Sequence, residues 1–162
     1  MLKTASVLAA AALGFAGLAG ASSASAATIA PAGASFTLTG NLSLSQTTNV
    51  TCAVTLTGTV NSTGTAATIT GGSFAPGSWQ CGWLVVPSGF PWTVTPGAGP
   101  TVTVAGIAAT SIAGSCSGTI TAAPWTNGPP SSVTFSSASI PGSPSACTIS
   151  GTLTSNVTLT VS

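Results

Sequence analysis

Apolar and hydroxyl-bearing side chains alternate along most of this chain. Val50, Cys52, Val54, Leu56, Gly58 and Val60 fall on one side of an extended segment, and Thr51, Ala53, Thr55, Thr57 and Thr59 on the other. A period of two held over that length predicts a half-buried strand. Shorter copies recur. Phe36 and Leu38, Trp92 and Val94, and Val102 and Val104 are each interleaved with threonines. Val133 and Phe135 alternate with Thr134 and Ser136, Cys147, Ile149 and Leu153 share a face, and Val157, Leu159 and Val161 run to the end of the chain. Turn signals separate these runs: Gly40-Asn41, Asn61-Ser62-Thr63-Gly64, Pro76-Gly77, Pro96-Gly97, Asn127-Gly128-Pro129-Pro130 and Pro141-Gly142. Short strands between Gly, Pro and Asn turns predict an all-β protein, an antiparallel β-sandwich or barrel of about 8–10 strands.

The first residues follow a different pattern. Lys3 precedes an apolar run from Val7 to Ala19, and Ala24-Ser25-Ala26 supplies small residues at the positions a signal peptidase reads. The expectation is a cleaved N-terminal signal helix over residues 1–26. Residues 27–162 are then a single β domain, starting at Ala27 and long enough to bury a core.

Charge narrows the function further. The chain has one lysine and no Arg, Asp, Glu, His or Tyr. That lysine is Lys3, so after cleavage the cysteines are the only titratable side chains. General acid–base catalysis draws on His, Asp, Glu, Lys, Tyr or Cys, and a nucleophilic serine needs a base to activate it. Electrostatic binding of nucleic acid needs Lys or Arg. The composition therefore argues against an enzyme, with no catalytic residue, no cofactor, no metal, no nucleic acid and no transmembrane segment after signal cleavage. It also removes the charges that normally keep exposed strands and whole molecules apart. Self-assembly or residence at an interface is the expectation for so neutral a β surface.

Cys52, Cys81, Cys116 and Cys147 form an even set in a chain expected to be exported, which reads as disulfides. Three pairings are possible. Cys52 and Cys81 stand almost as far apart as Cys116 and Cys147, and the two intervals carry similar text. One runs from C-A-V-T-L-T to F-A-P-G-S-W-Q-C and the other from C-S-G-T-I-T to S-I-P-G-S-P-S-A-C. The spacing predicts two disulfide-closed units, about 52–81 and 116–147, each a strand pair. Zinc is disfavoured, because the cysteines lack C-x-x-C spacing and have no histidine.

Several stretches carry a family likeness: A-T-I-A-P-A-G-A-S-F-T-L-T-G from Ala27, V-T-C-A-V-T-L-T-G-T-V from Val50, I-T-G-G-S-F from Ile69, G-F-P-W-T-V-T-P from Gly89 and C-T-I-S-G-T-L-T-S from Cys147. Their order and the paired cysteines resemble the PraB-type family of secreted bacterial proteins, the protein activators of alkane oxidation. The resemblance implies an exported, extracellular or cell-surface protein without catalytic activity. Such a protein assists bacterial use of liquid alkanes, by contact with oil or by self-assembly.

The most apolar stretch after the signal runs from Cys81 to Trp92. Trp83, Leu84, Val85, Val86, Phe90 and Trp92 make it the candidate hydrophobic contact for an alkane or oil surface. The competing reading is a core strand with a buried turn. Trp79 and Trp125 lie in Gly/Pro/Asn-rich segments and read as core residues or as platforms for sugar rings. Two alternatives to a surface-active protein stay open. One is a polysaccharide-binding or fimbrial-type β-sandwich module. The other is a small outer-membrane barrel, although the chain lacks the tyrosines of an aromatic girdle.

Overall fold

The computed structural model describes residues 26–112 and 114–162, so the segment expected to be the signal helix lies outside the described residues apart from Ala26. The described chain is all-β. Its strands are β1 (Ile29–Ala30), β2 (Ser35–Ser45), β3 (Asn49–Val60), β4 (Ala67–Gly77), β5 (Val85–Ser88) and β6 (Trp92–Pro96). They continue with β7 (Thr101–Ser111), β8 (Gly114–Thr126), β9 (Ser132–Ile140), β10 (Gly142–Ser143), β11 (Cys147–Ser155) and β12 (Thr160–Val161).

The sheet runs β8-β9-β11-β2-β3-β4-β6-β7, and a further ladder joins β7 back to β8. The result is a closed antiparallel barrel of eight strands with four short extra strands. Between sandwich and barrel, the ladder from β7 to β8 decides for the barrel. Closure also answers the missing charges. A fully closed barrel has no long unpaired edge to protect; here closure is complete toward one end, and the short strands β5 and β10 lie at the two seams left at the other.

The alternation seen in the sequence sorts inside from outside. On β3, Val50, Cys52, Val54, Leu56 and Val60 are buried in the lumen while Thr51 and Thr59 face solvent. The buried set continues with Phe36, Leu38, Val102, Val104, Val133, Phe135, Ile149 and Leu153 from neighbouring strands. Apolar groups thus point inward and hydroxyls outward. A membrane-spanning barrel has the reverse arrangement, an apolar outer band around a polar lumen.

The two ends of the barrel differ. One end is closed by β1 and β12, the first and last described strands. β1 pairs with β12, placing Ile29 opposite Val161, and Thr28 N donates to the Ser162 carbonyl at 2.8 Å. Asn127 grips Val161 twice, its Nδ2 donating to the carbonyl at 2.9 Å and its Oδ1 accepting from the amide at 2.8 Å. The buried Ser131 hydroxyl accepts from Leu159 N at 3.0 Å and donates to the Val157 carbonyl at 3.2 Å. Trp125 is buried here, with its Nε1 donating to the Leu159 carbonyl at 3.4 Å, which makes it a core residue.

Toward the other end two seams of the barrel come apart. β4 pairs with β6 only through Ala67, Thr68 and Ile69, and β5 fills the gap by pairing with Ala108–Ser111 of β7. β8 pairs with β9 only through Trp125 and Thr126, and β10 fills that gap by pairing with Ser115 and Cys116. Both disulfides sit at these seams. Cys52 is bonded to Cys81 and Cys116 to Cys147, with Cα atoms 5.6 and 6.0 Å apart, the pairing predicted from spacing. The first unit contains the β3–β4 strand pair. The second contains β8 and β9, neighbours in the sheet that pair only through Trp125 and Thr126, with β10 beyond them.

Candidate functional site at the open end of the barrel

The loops at the end opposite β1 and β12 are the β2–β3 hairpin, the segment from β4 to β5, the β7–β8 turn and the corner from β9 to β11. Three large hydrophobic side chains stand exposed among the described residues: Trp79 (77%), Trp83 (87%) and Ile112 (81%). All three belong to this end. Trp79 and Trp83 flank Cys81 between β4 and β5, and Ile112 lies in the β7–β8 turn. The β5–β7 ladder ties the two places together by setting Val85 opposite Ser111.

The loop that carries the tryptophans is tightly held. The Cys52–Cys81 disulfide fastens it to β3. Ser78 N donates to the Thr51 carbonyl at 3.0 Å, and Leu84 N and Val85 N both donate to the Gln80 carbonyl, at 2.8 and 3.0 Å. These bonds and the bridge hold the loop, and Trp79 and Trp83 stand exposed on it.

Inside this rim lies an apolar cavity of about 90 Å³. Its walls include Leu44, Val50, Val85, Trp92, Ile107 and Ala109. It reaches the surface at Thr47 and Thr48, and its mouth lies between the β2–β3 hairpin and the β7–β8 turn. Small inward residues make the space: Ala109 faces Cys116 across the β7–β8 ladder where other layers carry Val, Ile or Leu. No buried side-chain nitrogen or oxygen among the described residues lacks a hydrogen-bond partner, so no orphan polar group points into it. Among the same residues there is no cluster of His, Cys, Asp or Glu fit to hold a metal ion, and no helix is long and apolar enough to cross a membrane.

The hydrophobic stretch singled out in the sequence is divided by this architecture. Trp83 is exposed on the rim. Leu84, Val85, Val86 and Phe90 are half-buried, with Val85 and Phe90 packed against the core. Trp92 does not belong to an outer contact surface. It is 4% exposed, its Nε1 donates to the Ser88 carbonyl at 2.9 Å, and Phe90 stacks on it at a centroid distance of 4.6 Å. The physical reason is the β4–β6 and β6–β7 pairing, which turns Trp92 into the lumen. Trp79 and Ile112 were not in that candidate set, and they complete the rim. Their sequence signal is position: each is a large apolar residue in a turn, where nothing on the strand pattern calls for one.

One family model, described as "Alkane oxidation protein activator PraA/PraB-like", matches residues 1–162, the whole chain. No curated protein and no solved structure gave a match.

Proposed function

This chain belongs to the PraA/PraB-like family of alkane oxidation protein activators, and from that premise we propose that it is a secreted, non-enzymatic protein that meets liquid hydrocarbon with the open end of its barrel. The observation that carries this reading is the placement of Trp79, Trp83 and Ile112. The large apolar side chains exposed among the described residues gather at one end, on loops fixed by a disulfide, while the barrel wall is coated with hydroxyls. Transfer of such side chains from water to oil is worth about 2 kcal/mol each. No charge in residues 27–162 opposes approach to a neutral oil surface.

Secretion fits the paired cysteines and the small-residue site ending at Ala26. Among the described residues the first backbone hydrogen bond is that of Thr28, two residues beyond that site. The closed barrel wall leaves the rim as the surface for self-assembly as well.

The test is adsorption to an oil drop. Wild type should lower hexadecane–water tension, and the Trp79→Ser/Trp83→Ser/Ile112→Ser triple variant should need at least tenfold more protein for the same effect. All three sites are exposed, so the variant keeps its disulfides and its circular dichroism. Equal adsorption by the two proteins sinks the proposal. Saturable binding of a polysaccharide, lost on Trp79→Ser without any interfacial activity, selects the glycan-binding reading instead.

A further inference from the structure

We infer that the cavity behind the rim is a binding site for one neutral, unbranched hydrocarbon chain. The inference deepens the reading above and rests on it only for the source of the ligand; the chemistry comes from the cavity. Its walls are Leu, Val, Ile, Ala, Phe, Trp and disulfide-bonded Cys side chains, and Ser45, Gln46, Thr47, Thr48 and Ser111 line it toward the mouth. A fatty acid or an alkyl phosphate would need a cation to hold its head group, and residues 27–162 contain none. An alcohol or ester would need a free donor or acceptor inside. The buried polar side chains of the described residues are already paired, and the Gln46 Nε2 at the mouth donates to the carbonyls of Ser143 and Ser145. Beyond its mouth the cavity therefore offers dispersion and dehydration, which favours a hydrocarbon over a chain with a polar head group buried inside.

Size and access agree with a chain. An engineered apolar cavity of roughly 150 Å³ stays dry and takes up benzene. By that measure a volume of about 90 Å³ encloses roughly four carbons. The space is open at Thr47 and Thr48, so a longer chain extends out of the mouth toward the rim loops. A protein that takes one end of an alkane out of the oil phase presents a single molecule in water, which an interface film does not.

Trp92 lines the cavity and Trp125 lies at the closed end, which provides a direct readout. In a Trp79→Phe/Trp83→Phe background these two indoles carry all the tryptophan fluorescence. Titration with 1-bromohexane below its solubility limit should quench it saturably as bromine enters beside Trp92, and n-hexane should compete. From 1-bromopropane upward, affinity should rise about fourfold per added CH2 until the enclosed space is full, then flatten. Hexanoate should bind at least tenfold more weakly than n-hexane. Ala109→Phe, which occupies the cavity, should weaken quenching at least tenfold. Ala109→Leu serves if the larger residue prevents folding, and n-hexane should in any case raise the melting temperature of the parent saturably. Quenching without saturation, hexanoate binding equal to that of hexane, an unchanged response in a folded Ala109 variant, or no thermal shift overturns the inference. These results are independent of drop adsorption: saturable quenching supports the cavity whether or not the protein coats oil, and its absence overturns the cavity even where the rim adsorbs.

Discussion

The side-chain amide of Gln46, at the tip of the β2–β3 hairpin, donates a 2.8 Å hydrogen bond to the carbonyl of Ser145, in the corner that leads into β11. A second bond from the same nitrogen reaches the Ser143 carbonyl at 3.0 Å. The two residues are far apart in sequence, and Gln46 also lines the cavity. Gln46 thus adds a side-chain tie just beyond the end of the β2–β11 ladder, where Ser45 stands opposite Thr148. Removing it with Gln46→Ala should cost about 1 kcal/mol of stability and raise amide hydrogen exchange at Thr47, Thr48 and Asn49. Exchange rates equal to wild type would mean that the hairpin is held by its own ladder alone.

The disulfides close the two seams, so losing either should open the rim end first. On the chain-entropy account each bridge contributes about 3–4 kcal/mol. Cys52→Ala/Cys81→Ala should lose about that much in urea denaturation. Limited proteolysis should cut between Trp79 and Leu84, and adsorption to oil should fall although both tryptophans remain. Adsorption unchanged after this loss would show that fixed presentation of the indoles is irrelevant.

Gly151 marks a point where the barrel tolerates no side chain. It sits at a β-bulge in β11 with φ +136°, and a Cβ there would run into the Asn41 carbonyl of β2. Gly151→Ala should destabilise by about 2–3 kcal/mol. Gly71 is the control: a Cβ there meets only the Thr57 hydroxyl, at 3.6 Å. Gly71→Ala should stay within about 0.5 kcal/mol of wild type. Thermal melts of the two variants side by side check the contrast.

Stability of the processed protein should barely depend on acidity. A pH slope requires a difference in bound protons between folded and unfolded chains. After removal of residues 1–26 the side chains offer only disulfide-bonded cysteines, leaving the two termini to titrate. The melting temperature should therefore be flat to within a few degrees from about pH 3 to 9. A steep change inside that window would point to a covalent modification or an assembly step.

Much of the fold was legible in local pattern, and particular strands show why. The alternation from Val50 to Val60 is a property of neighbours on one strand, and it assigned the buried face of β3 residue by residue. The same held for Phe36 and Leu38, Val102 and Val104, and Val133 and Phe135. β8 was less readable. Its inward positions near the rim are occupied by Cys116 and Gly118 rather than large apolar residues, so alternation is faint where the cavity widens. The cysteine pairing was legible because the two intervals repeat in text as well as length.

The stretch from Cys81 to Trp92 marks the boundary. Its composition says that it is apolar and broken by prolines, and nothing in it separates Trp83 from Trp92. That separation comes from long-range pairing. β5 takes the place vacated by β4, the Cys52–Cys81 bridge holds the intervening loop outside, and the β6 ladders turn Trp92 inward. The gathering of Trp79, Trp83 and Ile112 around one mouth has the same origin, because the residues of a rim become neighbours only when the barrel closes. Chain order by itself determined most strands, their faces and the absence of charge, since each of these is written within one segment or in the composition, and the repeated interval favoured one disulfide pairing among three. Closure through the β7–β8 ladder decided which apolar groups are core, which stand on the rim and that a cavity lies between them. Burial is set by what the rest of the chain brings alongside a residue, a quantity that no single segment contains.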